Sequence, residues 1–205
     1  MSDFLARIRP EVVELLSFFI QVALLQNIIL TTGFGSSIML HMVKKPKNIW
    51  LFSGILGLFS VLTVVIAYPL DNLFGTAANN FWRPVMMVGI TILLYVVVTL
   101  LLQWLLPVFY TRVSRLLPMA AFNNLVTGIA MVCNAHFGTT LFGNIGLAVG
   151  SALSFGILTW LTAEGMERMD NPDMPEAFRG APSTLLYVGL LALALMGFVS
   201  NFSLI

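Results

Sequence analysis

Two stretches of neutral polar residues interrupt long apolar runs in this chain. The first, Gln26-Asn27-Ile28-Ile29-Leu30-Thr31-Thr32-Gly33, leads into Gly35, Ser36 and Ser37. The second, Phe122-Asn123-Asn124-Leu125-Val126-Thr127-Gly128, opens with two adjacent amides. Amide and hydroxyl oxygens, with the carbonyls of an unwound helix, are the donors that seat Na+ in broken transport helices. Neighbouring glycines and serines let a helix unwind, and unwound backbone survives in a bilayer only where protein or a cavity covers it. The candidate ion or helix-break site is therefore Asn27, Thr32, Gly33, Gly35, Ser36, Asn123, Thr127 and Gly128. Such residues also hold helices together in membranes, so either stretch alone reads equally well as packing glue.

Other reactive side chains are few. His41 falls near Lys44 at one membrane surface and His136 in a turn on the other, too far apart to share a metal ion. Cys133 is the single cysteine, which excludes an intrachain disulfide and any paired-cysteine metal motif. It reads as a small buried apolar residue. Glu11 and Glu14 lie where the first span begins, and a helix N-terminus favours anions. No Asp, Glu, Lys or Arg is expected within a span, so the usual proton-relay signature is missing. No residue presents itself as catalytic, and no metal ligand set is evident.

The elements that must position these groups follow from composition. Of 205 residues, 59% are hydrophobic and 9% charged, against about 25% charged in a soluble domain. That much apolar surface is stable only in lipid, and a net charge of +1 gives no basic face for nucleic acid. Crossing the hydrocarbon takes about 20 apolar residues. The charge-free intervals are Leu15–Val43, Asn48–Leu70, Pro84–Val108, Leu116–Ala163 and Gly180–Ile205. The fourth is long enough for two spans, 117–133 and 142–163, divided at Asn134-Ala135-His136-Phe137-Gly138. The expectation is an all-α membrane protein of six transmembrane helices in one domain over 1–205. It divides into two inverted three-helix repeats, about 12–108 and 116–205, with broken first and fourth helices. The two polar stretches then open corresponding halves, and that pairing favours a site at the membrane midplane over glue.

Orientation follows from the basic residues. Lys44, Lys45, Lys47, Arg112, Arg115, Arg168 and Arg179 flank one side, and only Arg7, Arg9 and Arg83 the other. This excess puts the loops after spans one, three and five in the cytoplasm and both termini outside the cytoplasmic membrane. Asp71 to Arg83 is read as the main external loop, and Glu164 to Ala181 as the longest cytoplasmic one. Trp50, Trp82, Trp104 and Trp160 fall near span ends, as interfacial indoles do. The charges before Leu15 and the lack of a small-residue cleavage site argue against a cleaved signal peptide. Lys44, Lys45 and Lys47 share a predicted face with Phe178, Arg179 and Gly180, a candidate docking surface for partners.

The chain resembles the six-helix integral subunits of Rnf and Na+-translocating NADH:quinone oxidoreductase complexes, of the RnfA/NqrE type. The resemblance rests on Leu25-Gln26-Asn27-Ile28-Ile29-Leu30, on Leu117-Pro118 with Asn123, and on Pro175-Glu176-Ala177-Phe178-Arg179-Gly180 followed by a helix ending Leu195-Met196-Gly197-Phe198. It implies packing against a sister subunit of the RnfE/NqrD type, with each subunit giving two cysteines to an intramembrane [2Fe–2S] cluster. The positions that match the family's cysteines are Ser37 and Asn124 here. Cys133 lies about 13 Å further along a helix than Asn124 and cannot substitute.

The resemblance therefore implies a non-catalytic subunit of an ion-translocating electron-transport complex, structural or lining an ion path for Na+ or H+. It holds no cofactor of its own; flavins and iron–sulfur clusters lie in partner subunits. The alternative is a cluster-free secondary transporter or ion-conducting protein. A third reading is a scaffold whose polar pairs hold the halves together.

Overall fold

The computed structural model describes residues 2–25, 28–74, 82–133, 140–169, 175 and 179–202, and among them there is no strand. Helix α1 runs Ser2–Ile20 and passes into a π-helical turn, Gln21–Leu25. Helices α2 (Ile28–Thr32) and α3 (Ser36–Met42) follow. A short 3-10 turn, Pro46–Asn48, leads into α4 (Ile49–Phe74), and α5 is Trp82–Leu105. Three short helices come next: α6 (Pro107–Val113), α7 (Leu117–Ala121) and α8 (Asn124–Val132). Two long ones close the chain, α9 (Leu141–Met169) and α10 (Ala181–Phe202).

Among the described residues three stretches are long and apolar enough to cross a membrane, Pro46–Asp71, Trp82–Leu105 and Leu141–Met169. A fourth counts if Pro107–Val113 and Leu117–Val132, bent by 67°, form one broken span. Ala181–Gly197 is apolar but shorter. The expected first span, Leu15–Val43, is divided among α1, the π-helical turn, α2 and α3. Six spans are thus not all present as single long helices among the described residues.

The breaks have local causes. Gly33 (φ 74°) and Gly35 (φ 79°) are left-handed, a conformation that costs residues with a Cβ roughly 1–2 kcal/mol. They stop α2 and set α3 off in a new direction. Pro107 and Pro118, in the first turns of α6 and α7, bring no N–H that those turns would miss. Asn123 ends the irregular stretch by capping α8, its Oδ1 accepting from the Leu125 N–H at 3.0 Å.

Helix α9 is the centre, packed on both α1 and α4. In its apolar stretch 67% of residues are buried, against 17% in α5. Size explains the difference, because α9 turns glycines, serines and alanines inward while α5 carries large aliphatic residues. A Cβ on Gly146 would run into the Leu15 carbonyl, and one on Gly150 would lie 2.8 Å from that of Phe19. Small residues let the backbone of α1 lie directly on α9, the packing that lipid-embedded helices favour.

Two sequence expectations are corrected here. The expected external loop Asp71 to Arg83 is shorter at both ends, since Asp71 lies within α4 and Arg83 in the first turn of α5. They form a buried bidentate pair, Arg83 Nε to Asp71 Oδ1 at 3.1 Å and Nη2 to Oδ2 at 2.9 Å. Buried charge is tolerated only when paired in this way. Glu14 sits well inside α1 rather than at its start. Its carboxylate accepts from the Thr140 N–H (3.1 Å) and hydroxyl (2.8 Å), so the helix start it serves is that of α9. Trp50, Trp82, Trp104 and Trp160 are all exposed, and Cys133 is buried.

Candidate functional site

The two helix breaks meet. Gly35 is the N-cap of α3 and Asn123 the N-cap of α8, and they abut. A Cβ built on Gly35 would lie 3.3 Å from Asn123 Oδ1, 3.3 Å from Leu125 Cβ and 3.6 Å from Asn123 Nδ2. Phe34 presses its ring on Gly128, where any Cβ would collide with it. Gly35 thus serves twice, for its left-handed backbone and for the close approach, whereas Gly33 has nothing near its Cβ position.

The chemistry at this junction is that of donors. Asn123 is 1% exposed, its Oδ1 is engaged by the cap, and its Nδ2 is buried with no hydrogen-bond partner among the described residues. The amide therefore offers the junction an N–H group, which a cation cannot use. Two helix N-termini, which carry partial positive charge, are brought to the same place. Asn123 thus serves as the cap of α8 and holds a buried N–H donor at the junction.

Around this buried contact the surface is open. Thr32, Gly33, Ser37, Phe122 and Asn124 are exposed, Ser36 and Thr127 half-buried, and Gly128 buried. Thr32 Oγ1 accepts from the Phe34 N–H at 3.3 Å, and the Thr127 hydroxyl donates to the Asn124 carbonyl at 3.3 Å. Phe122 packs against Tyr95 of α5 with the rings tilted by 51° and 5.2 Å between centroids. Asn27 lies outside the described residues. Of the sequence-derived site, the structure gathers Gly35, Asn123 and Gly128 into one contact, with Thr32, Gly33, Ser36 and Thr127 beside it in the chain.

The donor set does not fit an iron–sulfur cluster. Ser37 and Asn124 flank the junction with a hydroxyl and a neutral amide, and neither supplies a thiolate. Cys133 lies beyond the far end of α8, within electrostatic reach of Asp71 and Arg83. That buried ion pair is what the sequence reading missed. Its signal was two opposite charges facing each other across a short polar segment between apolar runs.

The second candidate region is a cavity of about 590 Å³ where the ends of α3 and α9 meet the start of α10. Lys44, Arg179 and Gly180 line it, so three of the six proposed docking residues share one hollow. Lys45 and Lys47 are exposed beside it in sequence, and Phe178 lies outside the described residues. His41, on the last turn of α3, is exposed.

No protein-family model matches the chain. Whole proteins do. It is 28% identical over 188 residues to the A-type subunit of the ion-translocating oxidoreductase complex of Pasteurella multocida, covering 90% of this chain and 96% of that protein. It is 25% identical over 201 residues to the E-type subunit of the Na+-translocating NADH-quinone reductase of Pseudoalteromonas translucida, covering 89% and 96%. A 92-residue stretch is 39% identical to the A-type subunit of the ion-translocating oxidoreductase complex of Syntrophotalea carbinolica, 45% of this chain and 47% of that one. The chain resembles RnfA/NqrE-type subunits along nearly its whole length.

Proposed function

We propose that this protein is a multi-pass subunit of an Rnf/Nqr-like ion-translocating electron-transport complex in the cytoplasmic membrane. Its own role is structural or ion-guiding, without a cluster of its own. The observation that carries this reading is the open junction. Thr32, Gly33, Ser37 and Asn124 lie exposed around two helix breaks in a chain whose long helices are suited to lipid. Lipid-facing irregular backbone leaves polar groups unsatisfied at several kcal/mol each. A protein surface must therefore cover the junction, and a sister membrane subunit of the RnfE/NqrD type fits that need.

The inverted six-span arrangement with both termini outside belongs to the same reading. It is supported by abutting breaks placed early in each half of the chain, Gly33–Gly35 and Phe122–Asn123. The absence of a cluster rests on Ser37 and Asn124 in the ligand positions. An ion path along this chain would run past the exposed hydroxyls and carbonyls around the junction, Thr32 and Ser37 among them.

The test is site-directed photocrosslinking in native membranes. A photoreactive amino acid replacing Ser37 or Asn124 should crosslink to another membrane subunit, while one replacing Leu93 on the exposed face of α5 should not. Lipid adducts alone at both junction positions would refute the assignment. Purified in mild detergent, the complex should bring down flavoprotein and iron–sulfur subunits, and the chain freed of partners should hold no stoichiometric iron.

A further inference from the structure

The cavity beside α3, α9 and α10 has the same polarity gradient in each of its three walls. On α3 and the turn after it, Leu40 is followed by Lys44; on α9, Trp160 is followed by Glu167; on α10, Leu185 is preceded by Arg179. Each wall runs from an apolar residue to a charged one as it leaves the bundle. Along α9, Trp160 to Glu167 spans about 10 Å. Trp160 and Leu185 are also exposed on the apolar outer surface. The apolar end of the cavity is therefore continuous with the surface that lipid covers, and its charged end lies at the water boundary, where tryptophan and basic residues collect.

We propose that this cavity is a phospholipid site for a zwitterionic headgroup carrying a phosphate and a primary ammonium, as in phosphatidylethanolamine. The charged rim has both signs, Lys44 and Arg179 against Glu164 and Glu167. Glu164 is held by Arg168 at 3.2 Å, whereas Glu167 has no ion pair among the described residues. The phosphate sits between Lys44 and Arg179, near the first turn of α10, where basic groups between membrane helices recognise headgroups. The ammonium is met by Glu167, and the acyl chains leave past Trp160 and Leu185. A soluble peptide would leave that apolar end uncovered, and a purely anionic lipid would meet Glu167 without a counter-charge.

The full-length chain, purified in mild detergent with whatever subunits it retains, is incubated with equal amounts of phosphatidylethanolamine and phosphatidylglycerol, and bound lipid is read by native mass spectrometry. Phosphatidylethanolamine should be retained several-fold over phosphatidylglycerol. Lys44→Gln/Arg179→Gln should lower retention of both by roughly thirtyfold, the scale set by two basic groups at a membrane surface. Glu167→Gln should abolish the preference while phosphatidylglycerol is still held. A wild-type preference for phosphatidylglycerol, or none, overturns the proposal without any variant, so a double variant that fails to fold does not rescue it. It also fails if excess inorganic phosphate displaces the lipid, or if the double variant sheds a protein subunit with bound lipid unchanged. Neither result would touch the complex assignment, which rests on the helix-break face.

Discussion

Two polar places lie within this apolar chain, and they are built on opposite principles. Asp71 and Arg83 carry full charges, are 2% and 6% exposed, and answer each other with two hydrogen bonds. The junction of Gly35 and Asn123 carries no formal charge, yet it holds a buried amide N–H with no partner among the described residues and opens onto exposed Ser37 and Asn124. The charged place is sealed and the neutral one is open. A membrane protein can bury charge as internal structure when the pair is complete. The polar groups left exposed around a helix break have instead to be covered from outside, and that makes the junction the place to look for a partner.

The largest expected effect breaks the sealed pair. Arg83→Leu removes the guanidinium that neutralises the buried Asp71 carboxylate and should lower stability by about 3–5 kcal/mol, measured by reversible unfolding in detergent. Asp71→Leu/Arg83→Leu should recover much of that loss, and a double variant as unstable as the single one would show that the pair itself is not what matters. Next comes Gly35→Ala. It combines a left-handed φ, costing about 1–2 kcal/mol, with crowding against Asn123 and Leu125. Gly33→Ala bears the backbone cost alone, so equal effects at the two glycines would deny the close contact.

Smaller still is the cap. Asn123→Ala should cost about 1 kcal/mol and Asn123→Ser much less, because serine also accepts from the N–H two residues on. Smallest of all, Ser37→Leu and Asn124→Leu should change the stability of the isolated chain by no more than about 0.5 kcal/mol, as surface substitutions do. The same variants should reduce retention of the neighbouring membrane subunit in pull-downs. If they left assembly intact, the contrast between a sealed and an open polar centre would lose its functional meaning.

Much of the junction was legible in the chain. Glycines at 33 and 35 announce a break, and Asn123 ahead of an apolar run announces a cap, because both act within a few residues of themselves. The apolar intervals likewise located the long helices, close to Ile49–Phe74, Trp82–Leu105 and Leu141–Met169. Glu14 shows the limit of such reading. An anion at a helix start was the right physics, but the start belonged to α9, 126 positions further along. Asp71 and Arg83 were read as loop ends for a related reason, since charge alone does not reveal whether a partner waits inside.

By itself the sequence determined the solvent this protein needs and the places where its helices stop, because composition and local backbone preference are properties of short segments. Only the tertiary structure decided that the two breaks touch, that α9 is central, and that Lys44 and Arg179 share a cavity. Those facts depend on which helix faces fit against one another, and close packing between segments far apart in the chain is set by the shapes of all the helices together.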